Sequence, residues 1–159
     1  MISATFTGKI IQSFEDALAA QVVLTAFIPM LMDTAGNSGS QASVSVIRGL
    51  SLGDIAMGDI LRVMWKEFRV SLLCGVTLAV ANFGKMLLLD GVTAAVAGVV
   101  CVTLVITVMF AKLVGSVLPI LAKRVGFDPA VMAAPFITTI VDALSLLVYF
   151  NIARLLLHL

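Results

Sequence analysis

Residues 92–121, VTAAVAGVVCVTLVITVMFAKLVGSVLPIL, decide the class of the fold, because the whole run holds a single charge, Lys112. A hydrocarbon core of about 30 Å takes about 20 helical residues to cross, and this run is longer than that. Residues 68–89 form an apolar stretch before it and 129–157 another after it. Upstream, 17–32 are almost continuously apolar, and after a glycine-rich break at 36–39 the pattern resumes as far as Ile47. In lipid, only helices and closed barrels satisfy every backbone polar group. The alternating ten-residue strands of a membrane barrel do not occur here, so the expected fold is all-α and polytopic.

Composition points the same way. The chain is 61% apolar and 12% charged, with a mean hydropathy of +1.16, against about 45–50% and about 25% in soluble domains. A net charge of +1 gives no basis for nucleic-acid binding, and the expected surroundings are a lipid bilayer. Cys74 and Cys101 stand inside apolar runs without metal-ligand spacing, and the single histidine is His158. That removes most histidine-based metal or triad chemistry. No Lys or Arg precedes the first apolar stretch, which argues against a secretory signal peptide.

Segment 1–13 is apolar but too short to cross alone, and ends in Phe14-Glu15-Asp16. It reads as the outer half of a helix that begins upstream, so five transmembrane helices are expected, the first truncated. Arg48, Arg62, Lys66 and Arg69 follow the second helix and Lys123 and Arg124 the fourth, while the opposite connections hold Glu15, Asp16, Lys85 and Asp90. The positive-inside rule then makes the N-terminal side cytoplasmic and the C-terminus external. Residues 50–67 suggest a short amphipathic helix at the cytoplasmic interface, with Trp65 anchored there.

Ionisable groups deep in a membrane are costly and mark function. Asp142 lies thirteen residues into the last helix, about 20 Å along its axis, and Asp33 a similar distance into the second. Lys112 is expected to snorkel towards the cytoplasmic end, leaving both carboxylates without an obvious cation. Around Asp33, the run Asp33-Thr34-Ala35-Gly36-Asn37-Ser38-Gly39-Ser40-Gln41 reads as a helix break after Pro29. Its freed carbonyls and the Asn, Ser and Gln side chains suit a hard cation or its water shell. Close helix packing is the competing use of such small residues. In the last helix Asp128 is a candidate N-cap and Pro135 a candidate kink. Thr138, four before Asp142, and Ser145, three after it, share its face and read as a pore wall.

Two stretches, FIPMLMDTAGNSGSQASVSVIRGLSLGDI and DPAVMAAPFITTIVDALSLLVYF, resemble the second and fifth transmembrane helices of the MgtE family of magnesium channels. With ISATFTG at the start and AKLVGSVLPILAKRVG closing the fourth helix, the resemblance spans essentially the whole chain, 1–159. It implies a homodimer in the plasma (inner) membrane with its pore between protomers, walled by the second and fifth helices. The implied cargo is Mg²⁺, with Mn²⁺ and Co²⁺ as further candidates. The family's selectivity aspartate falls on Asp142, which would hold a largely hydrated Mg²⁺ together with its counterpart. The polar wall falls on Asn37, Ser38, Gly39, Ser40 and Gln41, with Asp33 as a secondary cation site. Asp33 stands where many members carry Gly, and Ala134 where some carry Asn. The family's cytoplasmic N-terminal and CBS regulatory domains, its implied partners, have no counterpart in these residues.

An ion-coupled secondary divalent-cation transporter is the alternative, although no inverted repeat is visible. An intramembrane aspartyl protease would need two carboxylates sharing a proton, and the Gly-x-Gly-Asp motif is missing, so no enzyme is expected. A purely structural membrane subunit is the remaining alternative.

Overall fold

The computed structural model describes residues 2–15 and 22–157, without the side chains of 2–3 and 131–135. Asp16 and His158 lie outside the described residues, as do the side chains of Ala134 and Pro135. Every regular element among the described residues is helical: α1 (Ile2–Ser13), α2 (Ile28–Leu52), α3 (Ile60–Leu88), α4 (Ala94–Arg124) and α5 (Pro129–Leu157). Short 3-10 segments, Val22–Phe27 and Met57–Asp59, lead into α2 and α3. Among the described residues three stretches are long and apolar enough to cross a membrane: Met57–Leu88, Ala94–Arg124 and Phe136–Leu157. The all-α expectation holds. α2 has the length, 25 residues, or about 37 Å, but its middle is polar.

The ends follow local chemistry. Gly53, at φ 79°, closes α2 in the left-handed region, a conformation glycine adopts without the Cβ penalty. Asp59 Oδ2 accepts from the Ala56 N–H at 2.8 Å before α3. At the start of α5 the Ala130 N–H donates to Asp128 Oδ1 at 2.9 Å, the cap expected from the sequence.

α3 and α4 form an antiparallel hairpin, in which Cys101 Sγ donates to the Ala79 carbonyl at 3.2 Å and a Cβ at Gly75 would touch the Val105 backbone. α2 runs parallel to α4: Gly39 meets Ala111 and Gly115 at one level, and Lys123 Nζ donates to the Leu50 carbonyl at 3.0 Å further along. α5 runs antiparallel to α2, since Gly39 packs on Ile137 while Tyr149 Oη donates to the Leu24 carbonyl at 2.9 Å. α1 lies against α5, with the Phe14 and Phe150 rings stacked at 4.8 Å.

Three sequence expectations need correction here. Residues 33–41 are not a break: α2 is helical throughout Ile28–Leu52. Pro29 falls in its first turn, where no intrahelical N–H is required. A Cβ at Gly115 would run into the Gly39 carbonyl, and one at Gly39 would come within 3.0 Å of the Ala111 oxygen, so Gly39 serves close approach. Residues 50–67 form no separate interfacial helix either. α3 starts at Ile60 and runs unbroken to Leu88.

Lys112 does not snorkel. It is buried, with Nζ 3.7 Å from Glu67 Oε2, and both side chains are less than a tenth exposed. Antiparallel packing brings the two together from opposite sides of the turn at Asp90–Gly91.

Candidate functional site

α2 has two unlike faces. One buries Leu31, Ala35, Gly39, Ala42, Ser43 and Val46, and its glycine, Gly39, lets α4 approach closely. On the other, Asp33, Asn37, Gln41 and Arg48 are exposed, each about one turn or two from the next. Among the described residues none of Asp33, Asn37 and Gln41 has a hydrogen-bond or ion-pair partner. Asp33 stands in the second turn of α2 rather than midway along it.

The expected wall residues therefore divide. Asn37 and Gln41 lie on the exposed stripe, Ser38 and Ser40 are half-buried at its edges, and Gly39 is buried against α4. Ser40 and the buried Ser43 line an open cavity of about 340 Å³ between α2 and the start of α5, with Ile137 and Arg48. Among the described residues Ser43 Oγ has no hydrogen-bond partner.

Asp142 is half-buried on α5 and Thr138, one turn before it, is exposed. Ser145 is a correction: it is 2% exposed and donates to the Val141 carbonyl at 2.7 Å. It lines a small pocket against Thr107 and Ala111 of α4, so the supposed single face is split by α4. Residues three apart on a helix differ by about 60° in direction, enough for one to look out and the next inward.

With Gly39 on Ile137 and Leu24 on Tyr149, the antiparallel register sets Asp142 level with the Asp33–Thr34 step of α2. Thr138 then falls level with Ser38. The bundle thus brings two carboxylates and a band of hydroxyl and amide groups to the same height on adjacent helices, with α2's share facing away from the protomer. Among the described residues there is no cluster of three or more His, Cys, Asp or Glu side chains able to cage a metal within one protomer.

A family model described as MgtE, divalent cation transporter, matches residues 28–152. The chain is 41% identical over 158 residues to the magnesium transporter MgtE of Thermus thermophilus, an overlap covering 99% of this chain and 35% of that protein. It is 38% identical over 152 residues to the magnesium transporter MgtE of Bacillus subtilis, covering 96% and 34%. The match to the magnesium transporter MgtE of Enterococcus faecalis is 33% over 152 residues, covering 94% and 33%. The chain spans about a third of the length of these relatives.

Proposed function

The chain belongs to the MgtE family of divalent cation transporters, and from that premise we propose that it forms the membrane pore of a magnesium channel. It is a multi-pass α-helical membrane protein. In our reading α2 crosses the bilayer as well, α1 contributes part of a further span, and two copies enclose the path between them. Mg²⁺ passes through it passively and largely hydrated. The basic ends of α2, α3 and α4 face the cytoplasm.

The observation that carries this reading is the exposed stripe Asp33–Asn37–Gln41 on α2, level with Asp142 on α5. Facing hydrocarbon, such groups would cost several kcal/mol. Facing a symmetry mate across a two-fold axis, they line water instead. Mg²⁺ dehydrates reluctantly and keeps octahedral oxygen at about 2.0–2.1 Å. Two Asp142 carboxylates can accept hydrogen bonds from its bound waters without touching the metal. Their paired negative charge in a low-dielectric wall favours a divalent over a monovalent ion. Asn37, Gln41 and Thr138 supply further oxygen groups to the water shell.

The test is Mg²⁺ flux into liposomes holding the intact protein. Asp142→Asn keeps size and acceptor oxygen but loses charge, and flux should fall by about tenfold or more, each 1.4 kcal/mol of lost ion stabilisation being about tenfold. Asp142→Glu should conduct with poorer discrimination against Mn²⁺, Co²⁺ and Ca²⁺. An Asn variant that conducts normally would overturn the electrostatic role. Flux that follows an imposed proton or sodium gradient, and not the membrane potential, would replace the channel with an ion-coupled transporter.

A further inference from the structure

A second polar surface lies away from the candidate ion path. The 52–59 connection, α2 and the first turns of α3 enclose an open cavity of about 370 Å³, whose charged wall consists of Asp54, Asp59, Arg62, Lys66, Glu67 and Arg69. The six charges are not equally available. Asp59 is engaged by the Ala56 N–H at 2.8 Å, and Glu67 is held by Lys112 at 3.7 Å. Arg62, Lys66 and Arg69 have no carboxylate partner among the described residues and are exposed. Three cations without a carboxylate partner thus face two acids, Asp54 and Asp59. Asp59 keeps its charge because a backbone N–H does not neutralise it, and the charge left over in the cavity is +1. Its complement is an anion.

The helix carrying those cations tells which anion. Positions 62, 66, 69, 73, 76 and 80 follow one another at steps of four and three, so they form one stripe along α3. The stripe begins Arg62–Lys66–Arg69 and continues Leu73–Val76–Val80, and these three apolar residues are 72%, 46% and 69% exposed. Trp65, 60% exposed, lies beside the changeover with the Arg69 guanidinium 5.7 Å from its ring centroid. Tryptophan is the residue that favours the headgroup level of a bilayer. From Arg69 to Val80 is about 16 Å along the axis, close to one leaflet's half of a core about 30 Å thick. Charge followed by one leaflet's depth of exposed aliphatic surface matches a headgroup followed by its acyl chain.

We infer that this cavity binds the phosphate headgroup of an anionic phospholipid, with one acyl chain laid along Leu73, Val76 and Val80 of α3. A free phosphate would satisfy the cations but leave the apolar half of the stripe without a role. The site depends on the chain's membrane residence and not on the ion it conducts, so the two proposals stand or fall separately.

Native mass spectrometry of the intact protein, released from detergent with phosphatidylglycerol or phosphatidylcholine, tests the inference. Phosphatidylglycerol adducts should survive at energies that strip phosphatidylcholine. Arg62→Gln, Lys66→Gln and Arg69→Gln combined should reduce the phosphatidylglycerol adduct by about tenfold or more, anionic lipid being attracted by each basic residue near it. Arg124→Gln, a basic change at the end of α4, should leave it intact. Should the triple variant fail to fold, Arg62→Gln alone should weaken the adduct about threefold, while Leu73→Asn should shorten its retention. Equal retention of both lipids, loss of the adduct on adding inorganic phosphate, or an unaltered adduct in the folded triple variant would each overturn the site. Protection of Arg62, Lys66 and Arg69 from arginine- and lysine-directed labels in lipid-free protein would assign the surface to another part of the protein and overturn it too.

Discussion

α4 and α2 lie side by side and meet in opposite ways what surrounds them. α4 is wrapped by its neighbours along its length, and its buried hydroxyls are settled on its own carbonyls: Thr103 on Val99 at 2.8 Å, Thr107 on Leu104 at 3.2 Å and Ser116 on Leu113 at 2.9 Å. Its one deep charge, Lys112, has Glu67. α2 buries one face just as tightly, yet leaves Asp33, Asn37 and Gln41 exposed with no partner among the described residues. Among the described residues the polar groups of α4 thus find partners, and those on the exposed face of α2 do not. That exposed polarity is why the ion path is proposed there.

The contrast is easiest to break where the two helices touch. Gly115→Leu places a side chain where the Gly39 carbonyl lies. Overpacking commonly costs about 1–3 kcal/mol, and here the obstacle is backbone, so about 3 kcal/mol or more is expected. Thermal unfolding in detergent measures it, and a variant melting with the wild type would show that α2 and α4 do not meet at this point. The two carboxylates test the outer face. Asp33→Asn should lower Mg²⁺ flux by about threefold or less, under the tenfold of Asp142→Asn, in keeping with about 0.6 against about 1.4 kcal/mol. Equal loss with normal folding would mean the two have been ranked wrongly. The smallest effects separate the faces most cleanly. Asn37→Ala should lower flux while leaving stability within about 0.5 kcal/mol, as exposed substitutions do. Ser43→Ala, which removes a buried hydroxyl without a partner among the described residues, should leave flux unchanged and be neutral to about 1 kcal/mol stabilising. A reversed pattern, with flux lost at Ser43 and stability lost at Asn37, would turn the helix round.

The outline of the bundle was legible because lipid makes apolar length nearly sufficient: the stretches read at 68–89, 92–121 and 129–157 correspond to α3, α4 and α5. The Asp128 cap was legible from chemistry confined to three residues. The continuity of α2 was not. Gly36 and Gly39 look like breakers by the rules of water, where the freed backbone can turn to solvent. Packed against α4, the helix keeps its hydrogen bonds and uses Gly39 to let α4 in. The spacing Ala35, Gly39, Ser43 opposite Ala111 and Gly115 held that signal, but it is convincing only once the partner helix is known. The role assigned to Ser145 failed for a related reason, since a shared helical face is wider than the groove α4 leaves open. Glu67 escaped notice because nothing near it in sequence marks its depth. Its meaning comes from Lys112, and a hairpin folded about Asp90–Gly91 makes residues nearly equidistant from that turn face each other.

That pair also bears on how the chain enters a membrane. A lone ionisable residue at the centre of a helix opposes insertion by about 2.5–3.5 kcal/mol on translocon scales, and by less towards its ends. Glu67 stands in the third turn of α3. α3 carries the acid and α4 the base, with Glu67 and Lys112 3.7 Å apart in the finished hairpin. Neither helix neutralises its own buried charge, whereas the two together leave no net charge where they meet. The unit that is comfortable in lipid is thus the α3–α4 hairpin, and the order of synthesis delivers the anion first and its cation one turn-around later.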